Sequence, residues 1–308
     1  LNQPPVRRRW LLVAGTIALL LLAPVSLGIL AASLAALLAA AGFQRTRERV
    51  VAAMAGGVGL AAALWPAADL LGATLGAYSL IVAAAFTSAA LLAPAGVLRQ
   101  AWRAVCGGAA GVALLGLLVR GTTFWTELHW SVVRETSTLF RLMVPVRPEA
   151  YPLFEPLVRF VSQAYPGLVI LQTFAALALA WQWHTRLAAN PLGPPLGAFR
   201  DFRFGDQWVW GLVAAFLVWI VPKLAVLKGA ALNMGLVLGA LYLLRGAAVF
   251  VAVAAATGLP GWTLVAGAVV ATVLVVPLIV LVPSLWTLGV FDTWLAFRQR
   301  RFGRPTVQ

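Results

Sequence analysis

The chain has 308 residues, of which 62% are hydrophobic and only 10% charged, with 23 basic residues against 9 acidic ones. A water-soluble globule carries roughly 25% charged residues, so this composition excludes one and specifies an all-α, polytopic transmembrane helical bundle. The basic residues fall mostly between apolar segments, as positive-inside topology signals do, and no aromatic–basic stripe of the kind that binds single-stranded nucleic acid is present.

Arg7, Arg8 and Arg9 precede an apolar run from Trp10 to Gly42, which is 33 residues long. It is long for one helix and tight for two, so it reads as a helical hairpin or as a span followed by a broken half-helix. The break falls near Pro24 and Ser26. The run outlasts the apolar region of a signal peptide, and the segment is taken as a first transmembrane helix. Ala14 and Ala18 form a small-xxx-small pair, a spacing that lets helices approach closely.

Arg45, Arg47 and Arg49 then mark a cytoplasmic loop. Val50 to Trp65 reads as a short span whose Gly56-Gly57 pair favours close packing, and Pro66 and Asp69 mark a turn, the aspartate read as its cap, with pairing to an arginine or binding of a cation as the alternatives. Leu70 to about Val97 is the next span. Arg99 and Arg103 form a second cytoplasmic cluster, followed by the glycine-rich span Ala104 to Val119.

Residues 120–166 differ from the rest. They hold five arginines and four glutamates, and Leu128, Val132, Leu139, Leu142 and Met143 recur at roughly helical spacing. This predicts one or two amphipathic helices at the membrane surface, broken into short pieces by Pro145, Pro148, Pro152 and Pro156. The near-neutral charge places the insertion on the extracytoplasmic side.

Leu168 to Trp183 is the next span, ending at His184 and Arg186, where a charge meets the interface. The loop from Asn190 to Gln207 carries Arg200 and Arg203, a third cytoplasmic cluster, and Trp208 to Pro222 is a short span. Gly229 to Ala256 is an almost unbroken apolar stretch of 28 residues, more than the roughly 20 that a bilayer core needs. Arg245 falls near its middle, where a charge costs at least about 2.5–3.5 kcal/mol on insertion scales and demands a partner, a wet cavity or a path to the surface. Asn233 lies near its start. Trp262 to about Thr287 forms the last span, and the basic, amphipathic GVFDTWLAFRQRRFGR a cytoplasmic surface helix in which Asp292 pairs with an arginine nearby, such as Arg298 or one from a loop.

Nine of the tryptophans stand near these proposed ends, at headgroup depth. The expected organisation is about eight spans in a single membrane-embedded domain. It comprises N-terminal helices at 10–119, the interfacial insertion at 120–166, C-terminal helices at 167–287 and a basic tail at 288–308.

The loop FRDFRFGDQWVWGLV, the helix ALNMGLVLGALYLLRGAAVF, the terminal LGVFDTWLAFRQRR and the mid-chain amphipathic insertion together resemble the YybS-like family of bacterial membrane proteins, a family without assigned activity. The resemblance covers nearly the whole chain in its order of hydrophobic segments. It implies a fold similar to the substrate-binding S components of energy-coupling-factor transporters and a multi-pass place in the bacterial inner membrane. It also implies docking on a membrane partner through small residues of the first helix, a position compatible with Ala14 and Ala18. The family pattern has glutamine before the glycine where this chain has Arg245 before Gly246, so Arg245 is a departure.

Catalytic constellations are missing. HExxH, a phosphate-binding loop and G-x-S-x-G do not occur, and the group of Glu127, His129 and Glu135 reads as a solvated helix face. Cys106, the one cysteine, excludes an internal disulfide and reads as a small packing residue, and two histidines exclude multi-histidine metal sites. No enzyme, metal or cofactor is expected. The reading is a substrate-binding or partner-docking subunit of a transport system, with Arg245 and Asn233 as candidate substrate contacts. Arg245 would offer a bidentate fork to a carboxylate or phosphate. The lipid bilayer is the expected environment, with an energy-coupling module or envelope proteins as partners. The alternative is a non-transporting scaffold in an envelope or division complex, and the least supported an intramembrane lipid enzyme.

Overall fold

The computed structural model describes residues 24–64, 69–92, 96–141, 151–259 and 276–295, with isolated positions 263 and 267. Ala14 and Ala18 lie outside the described residues. Among those described there are α-helices and short 3₁₀ turns and no strands. The chain is an all-α membrane protein. Four helices are long and apolar enough to cross a bilayer by length and composition, Leu70–Leu92, Val97–Thr138, Phe154–Leu187 and Pro222–Ala256. Shorter apolar helices occupy Val25–Ala40, Trp208–Ile220 and Ile279–Leu295. Two compact units divide the chain. The first takes the described residues up to Tyr165 with Val169–Leu196, and the second takes Pro166–Leu168 with the described residues from Gly197 onward.

In the first unit, α1 (Pro24–Ala40), α2 (Thr46–Leu64), α3 (Leu70–Leu92), α4 (Val97–Arg120), α5 (Phe124–Arg141) and α6 (Tyr151–Leu187) follow in order. Helix α1 starts at Pro24, where the missing N–H would find no intrahelical acceptor in any case. Its Ile29, Leu34, Leu37 and Leu38 pack with Tyr78, Val82 and Phe86 of α3 and with Ala176, Leu177, Ala180 and Trp181 of α6. Phe86 meets Trp181 edge-on at 6.0 Å, and Trp102 meets Phe174 at 4.8 Å. Each such pair adds about 0.5–1.5 kcal/mol beyond area burial.

Glycine sets the helix spacing most tightly outside the expected pair, of which Gly56 alone packs, its added methyl group lying an ordinary 3.7 Å from Ala35 Cβ. A methyl group at Gly57 would meet no heavy atom within 4 Å, whereas one at Gly59 would lie 2.7 Å from the Ala32 backbone nitrogen and one at Gly76 would overlap the Ala63 carbonyl oxygen. Asp69 does cap its helix, accepting the Gly72 N–H at 2.9 Å. Arg99 and Arg103, expected in a loop, lie in the first two turns of α4, because long arginine stems can run along an apolar helix while the head reaches the surface. Cys106, expected to be packed inside, is exposed on α4. The chain leaves α4 through Gly121, whose left-handed φ of 64° serves the corner into α5, and the Arg120–Glu127 ion pair of 2.8 Å bridges that corner.

Helix α5 is the expected amphipathic element. The expectation that Pro152 and Pro156 break the chain after it is corrected, since α6 runs unbroken for 37 residues from Tyr151. Pro152 sits in the first turn, where no N–H is needed, and a long apolar helix tolerates interior prolines when other groups take up the freed backbone polarity. Pro145 and Pro148 lie outside the described residues.

In the second unit, α7 (Trp208–Ile220), α8 (Lys228–Ala256) and α9 (Val276–Leu295) are joined or preceded by the 3₁₀ turns Phe199–Asp201 and Pro222–Leu227. Helices α8 and α9 cross where Gly246 faces Leu285 and Gly289 faces Tyr242. A methyl group on either glycine would overlap the opposite carbonyl oxygen. That crossing carries the backbones close enough for side chains on α8 and α9 to pair directly. Leu288 to Leu295 continue α9 without interruption, with Asp292 buried, and the basic residues 296–308 lie outside the described part.

Candidate functional site

The charge in the middle of α8 finds its partners inside the protein. Arg245 is fully buried. Its Nε donates to Asp292 Oδ2 at 2.9 Å and its Nη1 to Asp206 Oδ1 at 2.7 Å. Asp292, expected to pair with an arginine nearby such as Arg298 or one from a loop, pairs with Arg245 of α8, and Arg298 lies outside the described residues. The α8–α9 crossing at Gly246 and Gly289 brings Asp292 beside Arg245, 47 residues away in sequence. Phe204 lies against the guanidinium, 5.7 Å from ring centre to Cζ, and meets Tyr242 edge-on at 4.9 Å. Phe202 follows Phe204 at 6.2 Å, and Phe199 follows Phe202 at 6.4 Å. The loop FRDFRFGD is thus laid over α8 by an aromatic row ending in an ion pair.

The fork that a ligand carboxylate or phosphate would take is filled by the chain's own carboxylates, although Arg245 Nη2 has no hydrogen-bond partner among the described residues. Asn233 is likewise engaged: its Oδ1 accepts the Gly167 N–H at 2.6 Å and its Nδ2 donates to the Gly229 carbonyl at 2.8 Å. The Gly167 amide is the one just after Pro166, so Asn233 takes up backbone polarity at a proline. Twelve residues of helix separate Asn233 from Arg245, a rise of about 18 Å. The structure does not bring the two together.

Open space of ligand size lies in the first unit, between α5 and the first turns of α6. A groove of about 780 Å³ is lined by His129, Trp130, Ser137, Phe140, Arg141, Phe154, Glu155, Arg159, Ser162 and Gln163, with Val133, Pro152 and Val158. Phe140 and Phe154 meet across it at 5.6 Å. Glu155 faces Arg159 at 3.6 Å, both well exposed, whereas Arg141 has no ion-pair partner among the described residues. Of the group Glu127, His129 and Glu135, only His129 lines this groove. Glu127 pairs with Arg120, and Glu135 is exposed.

A third polar arrangement ties the end of α6 to the start of α2. Glu48, in the first turn of α2, is buried and accepts the N–H groups of Gln44 at 2.8 Å, Arg45 at 3.2 Å and, from the far end of the unit, Ala189 at 2.8 Å. The Gln44 N–H foremost holds its carboxyl below the ordinary carboxylate range, helped by the other two and by the Arg45 charge against the opposing effect of burial. His184, expected at a span end where a charge meets the interface, is fully buried, and its Nε2 accepts the Leu192 N–H at 3.1 Å. Trp181 Nε1 donates to the Pro194 carbonyl at 3.0 Å.

Glu48, Asp206 and Phe204 were not singled out from sequence. A lone acid inside the basic run RTRER and an aspartate in an aromatic loop were the available signals. No cluster of histidine, cysteine, aspartate and glutamate suited to a metal occurs among the described residues.

Comparison with curated proteins and with solved structures gives no match. The helices that are apolar enough to span a bilayer agree with a matching family model, a predicted membrane protein family of unknown function, which covers residues 10–293. The chain therefore belongs to this family, DUF2232.

Proposed function

We propose that the protein is a substrate-binding subunit of a membrane transport assembly, seated in the cytoplasmic membrane of a bacterium and docked on other membrane subunits. The observation that carries the reading is the groove between α5 and α6. Its volume of about 780 Å³ lies within the roughly 300–1,000 Å³ typical of small-molecule sites. Its lining combines aromatic surfaces (Trp130, Phe140, Phe154) with hydrogen-bonding groups (Ser137, Ser162, Gln163) and the guanidinium of Arg141. That mixture suits a small molecule with a carboxylate or phosphate and an apolar or ring portion. In this reading Arg245 organises the second unit from within, and Ala14 and Ala18 serve partner docking.

The test is gentle purification from the native host followed by native mass spectrometry. Co-isolation of an ATPase pair and a coupling subunit, or of a small anionic metabolite that Arg141→Gln loses, supports the proposal. A particle of envelope or division proteins with no metabolite overturns it in favour of a scaffold.

A further inference from the structure

In the second unit, α7 and the first half of α8 enclose an apolar groove of about 370 Å³. At water's share of roughly 30 Å³ per small group, this holds about a dozen such groups, the bulk of a single acyl chain. Its depth comes from small residues. Ala231 and Gly235 on α8 face Ala215 on α7, and a methyl group on Gly235 would meet only the Ala215 Cβ, at 3.8 Å. Aromatic rings form its rim: Phe216 and Trp219 are about half exposed, at 54% and 52%, and Phe216 meets Trp286 edge-on at 6.4 Å. No charged side chain lines it.

Charge stands at one end. Lys228, the first residue of α8, precedes Ala231, Leu232 and Gly235 by three, four and seven residues, which puts it on the same helix face as the groove lining. Lys223 is exposed in the 3₁₀ turn that joins α7 to α8 at that end. These are the only lysines in the chain, and the sequence from Gln207 to Ala256 contains no acidic residue. Among the described residues neither lysine has an ion pair. A cationic pair with flexible stems at the mouth of an apolar trough has the amphipathy of a phospholipid reversed in sign.

We propose that this groove seats one acyl chain of an anionic phospholipid whose phosphate is held by Lys223 and Lys228. Bilayer tails are as apolar as the groove, so seating the chain supplies fit rather than hydrophobic drive. Selection among lipids resides in the two lysines, each contributing about a five-fold preference for the anionic headgroup.

The experiment is native mass spectrometry of the full chain, delipidated in mild detergent and titrated with dioleoyl phosphatidylglycerol or dioleoyl phosphatidylcholine. The expected result is retention of a single phosphatidylglycerol in preference to phosphatidylcholine. Lys223→Gln and Lys228→Gln should each weaken it about five-fold with the thermal midpoint unchanged. Gly235→Leu, which fills the trough, should abolish retention with both lysines in place, and glycerol phosphate should fail to compete. Equal retention of the two lipids, insensitivity to the lysine variants, or binding of glycerol phosphate as tight as that of the lipid would overturn the proposal. So would a second copy of the chain that occupies the face and is lost in Gly235→Leu.

Discussion

At the scale of single residues, the energetics turn on which partner of a buried charge is removed. Arg245→Ala takes the guanidinium from Asp292, which is 1% exposed, and removing one member of a buried pair costs about 3–5 kcal/mol. Asp206→Asn should cost less than Arg245→Ala, because Arg245 keeps Asp292 and the asparagine oxygen can still accept from its Nη1. Reversible unfolding in mixed micelles measures both, and a loss in Asp206→Asn as large as that in Arg245→Ala would show that Asp206 carries the pairing.

Glu48 gives a pH signature of definite sign. Its folded pKa lies below its unfolded one, so its contribution is complete above the ordinary value of 4.5 and is lost as pH falls through the depressed folded value. The thermal midpoint of the wild type should therefore fall more steeply below pH 4.5 than that of Glu48→Gln. Parallel curves would remove Glu48 as the source. That Arg245 needs a partner, a wet cavity or a path to the surface was legible in the sequence; that it takes two carboxylates was not. Nor was the identity of its partners, because Asp206 and Asp292 lie 39 and 47 residues away and only the chain's path brings them near.

At the scale of helices, backbone approach separates glycines that look alike in sequence. Gly246→Ala pushes a methyl group onto the Leu285 carbonyl and should destabilise by about 1–3 kcal/mol. Gly57→Ala, with nothing within 4 Å, should be neutral or stabilising by up to about 1 kcal/mol. The same unfolding assay ranks them, and a neutral Gly246→Ala would mean that the α8–α9 crossing is looser than described. Most helix positions among the described residues were legible, because long runs of alanine, leucine and valine leave the backbone little other choice in lipid. What escaped was continuity. Tyr151–Leu187 passes through Pro156 and Pro166 as one helix, against the ordinary reading of proline, and beside Pro166 the Gly167 amide is taken up by Asn233 of another helix.

At the scale of the whole molecule, composition alone identified a bilayer protein, and the family assignment agrees with it. Cys106 offers a direct check. It is the one cysteine, exposed on an apolar helix. It should resist a membrane-impermeant maleimide in intact cells and react with a lipophilic one, whereas single cysteines placed at Arg47 or Arg200 in a Cys106→Ala background should label only from the cytoplasmic side. Rapid labelling of Cys106 by the impermeant reagent would put α4 against water. The candidate groove was only half visible from sequence. The amphipathic character of Phe124–Arg141 was plain, but the cavity depends on α6 starting at Tyr151 and turning Phe154, Glu155 and Arg159 toward that helix.

Helix α7 has a further consequence. It is 13 residues long, a rise of about 20 Å, against a hydrocarbon thickness near 30 Å. Trp208 and Trp210 stand at one end and Trp219 at the other, each ring favouring headgroup depth. Rings set this close pinch the bilayer locally: lipid beside α7 should be thinner than lipid beside the longer helix α8, and spin labels on lipids nearest α7 should report that difference.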